Sequence, residues 1–343
     1  MDDAGDAESF ECAELSFGAA GSLTLGVIVP CYSPERREDI LRLLDSIQRQ
    51  TSPIDEVVVV VQQSRELRDA VDRAAAGLTR SRLRLLFLEA SSGVCQARNA
   101  GLRGLETDVI AFVDDDAVLA DDWGEATRLL YLGRPDAIGV AGAILPRWDN
   151  PEMEWFPREL YWMLSCTYWT GTTPRPVRNG YGANMSFRRE AFEDGRRFNE
   201  SIGIAGWGIG GWRGVGGEEP DLALRVTAAT GRPILYGPSI RVGHRVRSHR
   251  LAWGSLVRRA YWDGRFKAAL SRNQAGNPDV LDTERSLLAE IVRAHFARLR
   301  LLGSHPLVAL RQESLVLLVV AVVGFGFVEG RLRRSPGRSA ACA

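Results

Sequence analysis

The stretch DVIAFVDDD (Asp108–Asp116) decides the fold, because an apolar run of strand length leads directly into three acidic residues. Three runs upstream share its apolar character, namely LTLGVIVPCY (residues 23–32), EVVVVV (Glu56–Val61) and LRLLFLE (Leu83–Glu89). Because they are apolar at nearly every position, these runs predict strands buried on both faces of a parallel sheet.

The segments between these strands have apolar residues at helical spacing. They are Glu35–Gln50, Ser64–Ala76 and Val94–Leu105. Strands that alternate with helices indicate βαβ units. We therefore predict a doubly wound, mostly parallel α/β layer that binds a nucleotide and extends over residues 23–145.

The second half of the chain has a different pattern. It is richer in aromatic residues, proline and glycine, and a helix is expected to begin near Glu218–Asp221, where Pro220 suits a first turn. Further strands are predicted at Gly182–Phe187, Pro233–Tyr236 and Ile240–Gly243, and further helices at Leu251–Leu270 and Thr283–Leu302.

Composition narrows the class of protein. The 343 residues have a formal net charge of +0, which offers no general attraction to nucleic acid. The five cysteines are scattered without a metal-binding or disulfide pattern, so a reduced, cytoplasmic compartment is expected. Residues 1–22 are acidic and lack a signal-peptide pattern, which favours a disordered leader.

The three adjacent acids at the end of the predicted strand are the strongest functional signal. Ligands bind outside the carboxyl ends of strands in open α/β sheets, so Asp114, Asp115 and Asp116 are placed for chemistry. Hard carboxylate oxygens suit Mg²⁺ or Mn²⁺ bridged to a diphosphate. The alternative is a helix-capping cluster, since Asp121 and Asp122 follow closely.

A second acidic cluster and a histidine complete the candidate site. Glu218, Glu219 and Asp221 follow a glycine-rich loop, where a general base can reach an acceptor hydroxyl. Acids that merely favour the dipole of a helix N-terminus are the alternative. His244 follows a predicted strand and is either a further metal ligand or an ordinary buried or surface histidine.

In combination and in this order, the motifs resemble family 2 glycosyltransferases of the GT-A fold, over roughly residues 25–302. Within that family the chain is similar to a subgroup that includes glucosyl-dolichyl phosphate glucuronosyltransferases. The matching segments are VIVPCY (Val27–Tyr32), GVCQARNAGL (Gly93–Leu102), FVDDDAVLADDW (Phe112–Trp123), WFPRELYWMLSCTYWTG (Trp155–Gly171), RNGYGANMSFRREAF (Arg178–Phe192), GGEEPDLALR (Gly216–Arg225) and the stretch His244–Ala268.

The resemblance implies a role for individual residues. Glu219 would be the catalytic base with Asp221 as a supporting acid, while Asp116 and His244 would hold Mn²⁺ or Mg²⁺. The residues implied to bind the nucleotide-sugar are Pro30, Tyr32, Gln62, Arg98, Asn99, Asp114 and Asp115, and those implied to bind the acceptor are Asn184 and Trp207.

One position departs from the family. Relatives usually end the second strand with an aspartate that contacts the nucleobase, whereas this chain has Gln62 and Gln63. Glutamine both donates and accepts hydrogen bonds but carries no charge, so recognition of uracil is weakened without being lost. Trp207 and Trp212 lie in an elongated glycine-rich loop, where they serve either as sugar platforms or as packing residues.

The resemblance implies an inverting glycosyltransferase. Its donor would be a nucleotide-diphosphate sugar, with a UDP-sugar expected, and its acceptor a lipid-linked saccharide or another glycan precursor of cell-envelope polysaccharide. The division implied is a donor half over 23–145, an acceptor and base half over 146–270, and C-terminal helices over 271–343. The alternative is a non-catalytic nucleotide-sugar-binding protein of the same fold.

The C-terminal region contains one long apolar run, LVLLVVAVVGFGFV (Leu315–Val328), which an arginine-rich tail follows. At ~1.5 Å per residue the run is too short for a ~30 Å hydrocarbon core. We expect either a peripheral membrane segment at the inner face of the cell membrane or a buried core helix.

Overall fold

The computed structural model describes residues 23–90, 93–169, 171–200, 217–273 and 282–332. The predicted leader, the glycine-rich loop with Trp207 and Trp212, and the arginine tail beyond Leu332 lie outside these residues. The strands are β1 (Leu25–Cys31), β2 (Glu56–Gln62), β3 (Arg82–Leu88), β4 (Val109–Phe112), β5 (Ala117–Leu119), β6 (Gly139–Trp148), β7 (Arg175–Val177), β8 (Met185–Arg188) and β9 (Ile234–Val246). The α-helices are α1 (Arg37–Gln48), α2 (Arg65–Ala75), α3 (Val94–Leu102), α4 (Trp123–Gly133), α5 (Glu218–Thr230), α6 (Trp253–Asn273), α7 (Asp282–Leu301) and α8 (Pro306–Leu332).

The first half contains the predicted parallel layer. Strands β3, β2, β1 and β4 lie side by side in that order, and every pair among them is parallel. All residues of β1, β2 and β4 are buried, because helices cover the sheet. The carboxyl ends of these parallel strands therefore lie along one edge of the sheet. The loop with Asp114, Asp115 and Asp116, the acidic loop, follows β4 at this edge.

The second half makes the sheet mixed. Strand β8 is antiparallel to both β4 and β6, while β9 runs parallel to β6. The two strand fragments predicted near residue 240 are one strand, because β9 continues past a register shift opposite Gly142 and Ala143. The predicted strand Asp108–Asp116 is also shorter than expected. It ends at Phe112, and the chain turns through the three acids into β5, which pairs with the far end of β9.

Three helices follow the sheet. Helices α6 and α8 pack closely, because Gly264, Gly326 and Gly330 have no side chain at their contact. A Cβ at any of these positions would clash with the facing helix. A Cβ on Gly264 would lie 2.1 Å from the carbonyl oxygen of Val323, and one on Gly326 would lie 2.2 Å from that of Tyr261.

Helix α8 is longer than the apolar run Leu315–Val328, on which the expected length was based. It has 27 residues, and at ~1.5 Å each it measures about 40 Å, because it begins well before the apolar run and ends beyond it. Its length and apolar composition would allow it to cross a membrane, yet 28% of its most apolar window is buried within the protein.

Candidate active site

The acidic loop lies at the carboxyl ends of β1, β2 and β4. Asp115 and Asp116 are buried there, whereas the side chain of Asp114 is 27% exposed. From the same edge, Gln62 ends β2 in a buried position. Tyr32 follows β1 and is half-buried. The structure therefore places these predicted residues at one edge of the sheet.

Two of the three acids meet His244. Single ligand atoms of Asp114, Asp116 and His244 all lie within 4.8 Å of one another, and His244 Nε2 is 3.1 Å from Asp116 Oδ1. The backbone sets this approach, because His244 pairs with Ala117 between β9 and β5. Asp116 Oδ1 is buried and receives no aligned hydrogen bond from the described residues. Two carboxylates and an imidazole at this spacing fit a divalent cation such as Mn²⁺.

The imidazole is also contacted from its other side. Cys166 Sγ lies 3.9 Å from His244 Nδ1, so a thiol stands where the outer partner of a metal-binding histidine usually lies. Burial would lower the pKa of His244, but Asp116 outweighs burial and raises that pKa to about 10. Burial acts to raise the pKa of Asp116, yet His244 and Arg36 together hold it well below its usual range.

Arg36 belongs to the site although the sequence analysis did not identify it. Its guanidinium pairs with Asp115 and lies 3.1 Å from Asp116 Oδ2 and 5.0 Å from the centre of the Tyr32 ring. Burial raises the pKa of Asp115 to about 7 despite the opposing effect of Arg36. Asp115 is therefore tied to Arg36, whereas Asp114 and Asp116 face His244. The available signal was its position just after β1, at the ligand-binding edge of the sheet.

Arg98 connects the two acidic clusters. It is only 2% exposed, with Nη2 3.2 Å from Asp114 Oδ1 and Nη1 3.3 Å from Glu219 Oε1. The guanidinium also lies 5.2 Å from the centre of the Phe198 ring. These acids keep Arg98 charged even though burial favours its neutral form. The predicted donor-binding residue thus contacts both the acidic loop and the candidate base.

The candidate base lies at the first turn of α5. Glu219 Oε1 accepts hydrogen bonds from Arg98 Nη1 and from the backbone N–H of Gly182, the latter at 3.2 Å. Its neighbour Glu218 is more deeply buried, and burial together with repulsion from Glu219 raises the pKa of Glu218 to about 7. Asp221 Oδ2 forms an ion pair with Arg225 Nη2 at 2.8 Å.

Three predicted contact residues are engaged within the protein. The amide of Asn99 donates to the Phe198 carbonyl and to Glu200, and its oxygen accepts from the Phe198 N–H. Asn184 donates to two strand carbonyls and accepts from the indole N–H of Trp123. Pro30 is buried in β1 opposite Val60. Both amide N–H groups of each asparagine are thus used within the protein, and the contacts of the three residues with donor or acceptor stay predictions.

Comparison with known proteins identifies the family of the chain. The family described as "Glycosyl transferase family 2" matches residues 26–196. A glucosyl-dolichyl phosphate glucuronosyltransferase of Haloferax volcanii is 30% identical over 313 residues, which are 90% of this chain and 97% of that protein. The succinoglycan biosynthesis protein ExoM of Rhizobium meliloti is 30% identical over 189 residues, covering 54% of this chain and 55% of ExoM.

Solved structures share the fold. A mannosyltransferase from Pyrobaculum calidifontis, in complex with GDP-mannose and Mn²⁺, superimposes with a TM-score of 0.59 at 18% identity, over 90% of this chain and 88% of that one. GalNAc-T7 with UDP, GalNAc and Mn²⁺ gives a TM-score of 0.50 at 16% identity, over 77% and 54%. The predicted GT-A fold is thereby confirmed. The chain belongs to glycosyltransferase family 2 and is an enzyme that uses a nucleotide-sugar donor.

Proposed function

We propose that this enzyme transfers a sugar, with inversion, from a nucleotide-diphosphate sugar to a hydroxyl of a lipid-linked saccharide, and that it requires a divalent cation. The observation that carries the proposal is the position of Arg98, which lies between a metal-type acid set and a separate glutamate. Inverting transfer needs these two functions on opposite sides of the sugar.

The cation would be held by Asp114, Asp116 and His244. A bound Mn²⁺ or Mg²⁺ stabilises negative charge that develops on a departing diphosphate. The same three residues supply hard oxygens and one imidazole nitrogen, a set that suits either ion. Both solved structural neighbours were obtained with Mn²⁺, which supports the choice of metal.

Glu219 would act as the general base. Its Oε1 is held by Arg98 and Gly182, so Oε2 is left to accept the proton of the acceptor hydroxyl. As the acceptor oxygen bonds to the anomeric carbon, the bond from that carbon to the diphosphate oxygen breaks on the opposite side. The proton passes to Glu219, the diphosphate leaves with the bonding electrons, and the anomeric configuration inverts.

Tyr32 and Gln62 would contact the nucleotide, with Arg36 and Asp115 behind them. Tyr32 offers a ring face beside the Arg36 guanidinium, and the Gln62 amide suits a nucleobase edge that both donates and accepts. We expect a UDP-sugar, as the family resemblance implies, since the Gln62 amide can still bond uracil although it lacks the charge of the usual aspartate. In this scheme Asp221 supports α5 through Arg225, and Trp207 remains a predicted acceptor contact outside the described residues.

The proposed acceptor rests on the relatives. The Haloferax volcanii protein is named for glucosyl-dolichyl phosphate, and ExoM is a polysaccharide biosynthesis protein. We therefore propose a polyprenyl-type phosphate saccharide that serves an envelope polysaccharide. The enzyme would then work as a peripheral protein at the cytoplasmic face of the cell membrane, where soluble donors meet a membrane-bound acceptor.

The test is nucleotide release from purified full-length protein. UDP- and GDP-sugars would each be supplied with Mn²⁺, with and without a short-chain polyprenyl-phosphate glucose acceptor, and the product linkage would be determined by NMR. We expect one UDP-sugar to turn over in the presence of Mn²⁺, and the acceptor to gain a sugar of inverted configuration. Donor binding without turnover, even with acceptors, would favour the non-catalytic alternative.

A further inference from the structure

Helices α7 and α8 expose apolar side chains that the proposed reaction does not use. Phe296 on α7 is 60% exposed, and Leu317 and Phe325 on α8 are 62% and 66% exposed. We call the set the C-terminal apolar surface. It comprises Leu288, Val292, Phe296 and Leu299 of α7 and Leu307, Leu310, Leu317, Phe325, Val328 and Leu332 of α8.

The residues follow one side of each helix. Those of α7 recur at intervals of four, four and three, and those of α8 at three, seven, eight, three and four, which keeps them along a stripe of an α-helix. Apolar surface of this extent on a soluble protein marks an interaction site.

The opposite side of α8 is part of the protein core. Leu315, Val316 and Val319 are buried in the main hydrophobic cluster. Further along, Gly326 and Gly330 lie directly against the backbone of α6. A helix that is attached along its length to a folded domain cannot cross a bilayer without exposing the core of that domain. The apolar side of α8 must therefore lie along the surface of the partner that covers it.

The charges next to the surface are mostly positive. Both acids of α8 bond within the protein, with Glu313 bonded to His295 and Arg298 and Glu329 bonded to Tyr261. On α7, the exposed Arg300 and Arg293 border the apolar stripe, and Arg293 pairs with Glu290 of the same helix at 2.8 Å. Apolar side chains with arginines at their border are typical of helices that lie in a membrane interface.

We propose that the C-terminal apolar surface is a monotopic membrane-docking face, which lies flat on a bilayer of anionic lipids. A second copy of the chain fits less well, because a symmetric pair would place the same arginine-bordered surfaces against each other, and Glu290 already pairs with Arg293 of its own chain. The purpose of this docking rests on the proposed lipid-linked acceptor, since it would hold the active site beside a membrane-bound substrate. The docking itself does not depend on that acceptor.

The experiment is vesicle co-sedimentation of the full-length enzyme at fixed ionic strength. Vesicles of phosphatidylcholine alone would be compared with vesicles that also contain phosphatidylglycerol. The variants are Phe296→Glu with Leu317→Glu, and Arg293→Gln with Arg300→Gln. Leu129→Glu on α4, where Leu129 is 46% exposed, is the matched control. Thermal melting establishes that each variant is folded, and light scattering reports the oligomeric state.

We expect the wild type and Leu129→Glu to sediment with anionic vesicles. The double glutamate variant should lose at least about tenfold in partitioning on both vesicle types, because apolar burial and lipid attraction act together. The double glutamine variant should lose binding to anionic vesicles only. Equal partitioning of all the folded proteins would overturn the proposal, as would a wild-type dimer that the glutamates dissociate.

Donor turnover separates this proposal from the proposed function. Nucleotide release in the absence of membranes should be equal in the wild type and the double glutamate variant, since no residue of the site lies on α7 or α8. Protein that binds vesicles but turns over no donor would disprove the reaction and leave the docking face intact.

Discussion

Arg98 Nη1 donates a hydrogen bond to Glu219 Oε1 over 3.3 Å, although the two residues lie on different helices. The other terminal nitrogen of Arg98 reaches Asp114, so one buried guanidinium fixes the distance between the base and the acidic loop. The residues proposed to act on the donor and on the acceptor are thereby held at a fixed distance from each other.

Glu219→Gln should lower kcat by roughly 10²–10⁴-fold, because the variant cannot take the acceptor proton. The KM for donor should change little, since the amide keeps the shape of the side chain. Steady-state kinetics with varied donor and acceptor would measure both effects. Asp221→Asn is the matched control and should keep most of its turnover. The reverse result, with an active Glu219→Gln and an inactive Asp221→Asn, would transfer the role to Asp221.

Arg98→Met should destabilise the protein by about 3–5 kcal/mol, because Asp114, Glu218 and Glu219 would lose their buried counter-charge. Arg98→Lys restores the charge, but a single ammonium group cannot contact Asp114 and Glu219 as the two guanidinium nitrogens do. This variant should therefore fold and have a lower kcat. Chemical denaturation and kinetics separate the two effects. Arg103→Lys, at the exposed end of the same helix, should leave both unchanged. Full activity of folded Arg98→Met would contradict the positioning role.

Asp116→Asn and His244→Ala should weaken Mn²⁺ binding, because the first replaces a charged carboxylate of the candidate ligand set with a neutral amide and the second removes its imidazole nitrogen. Isothermal titration of the purified proteins with Mn²⁺ measures this directly, independently of turnover. Asp121→Asn, an exposed acid of the same region, is the control and should bind like the wild type. Excess EDTA should abolish turnover. Full activity in EDTA would refute the metal requirement.

Gly182→Ala should reduce kcat by roughly 10²-fold without unfolding the protein, because a small displacement of a catalytic group has an effect of that size. A Cβ there would lie 1.8 Å from Arg98 Nη2 and 2.8 Å from Glu219 Oε1. Gly254→Ala on α6 is the control, since a Cβ there meets nothing within 4 Å. Kinetics and thermal melting of both variants would decide. Normal kinetics in Gly182→Ala would show that Glu219 does not need this position.

Glu218→Gln should stabilise the protein at pH 8. Burial and Glu219 raise the pKa of Glu218 to about 7, above its ordinary value of about 4.5. An acid with a raised pKa in the folded state contributes its stability below the unfolded pKa, and that contribution is lost as pH rises through the folded pKa. The variant removes this loss, on the order of 1–3 kcal/mol. Unfolding free energies at pH 5 and pH 8 measure it. The prediction would be contradicted if the difference in unfolding free energy between the variant and the wild type were the same at pH 5 and pH 8.

Much of the fold was predictable, because buried strands such as Val57–Val61 have no alternative to a covered parallel sheet. The acids and His244 were also identifiable from sequence. Arg36 was not identified, because its position just after β1 is shared with other charged residues, and only the structure shows that it pairs with Asp115. Asn99 and Asn184 stay predicted contacts. The structure adds what the sequence could not show, namely that the amide of Asn99 donates to the Phe198 carbonyl and Glu200 and that of Asn184 to two strand carbonyls. The length of α8 was missed because helix bounds depend on packing against α6 as well as on apolarity.

The pairing of Ala117 with His244 has a consequence for biosynthesis. The acidic loop leaves the ribosome early, whereas Glu219, β9 and His244 follow only after the whole central part of the chain. A nascent chain that ends before β9 holds its acids side by side and already contains Glu219, but it lacks His244. The proposed metal site is therefore completed only when the last strand takes its place between β5 and β6.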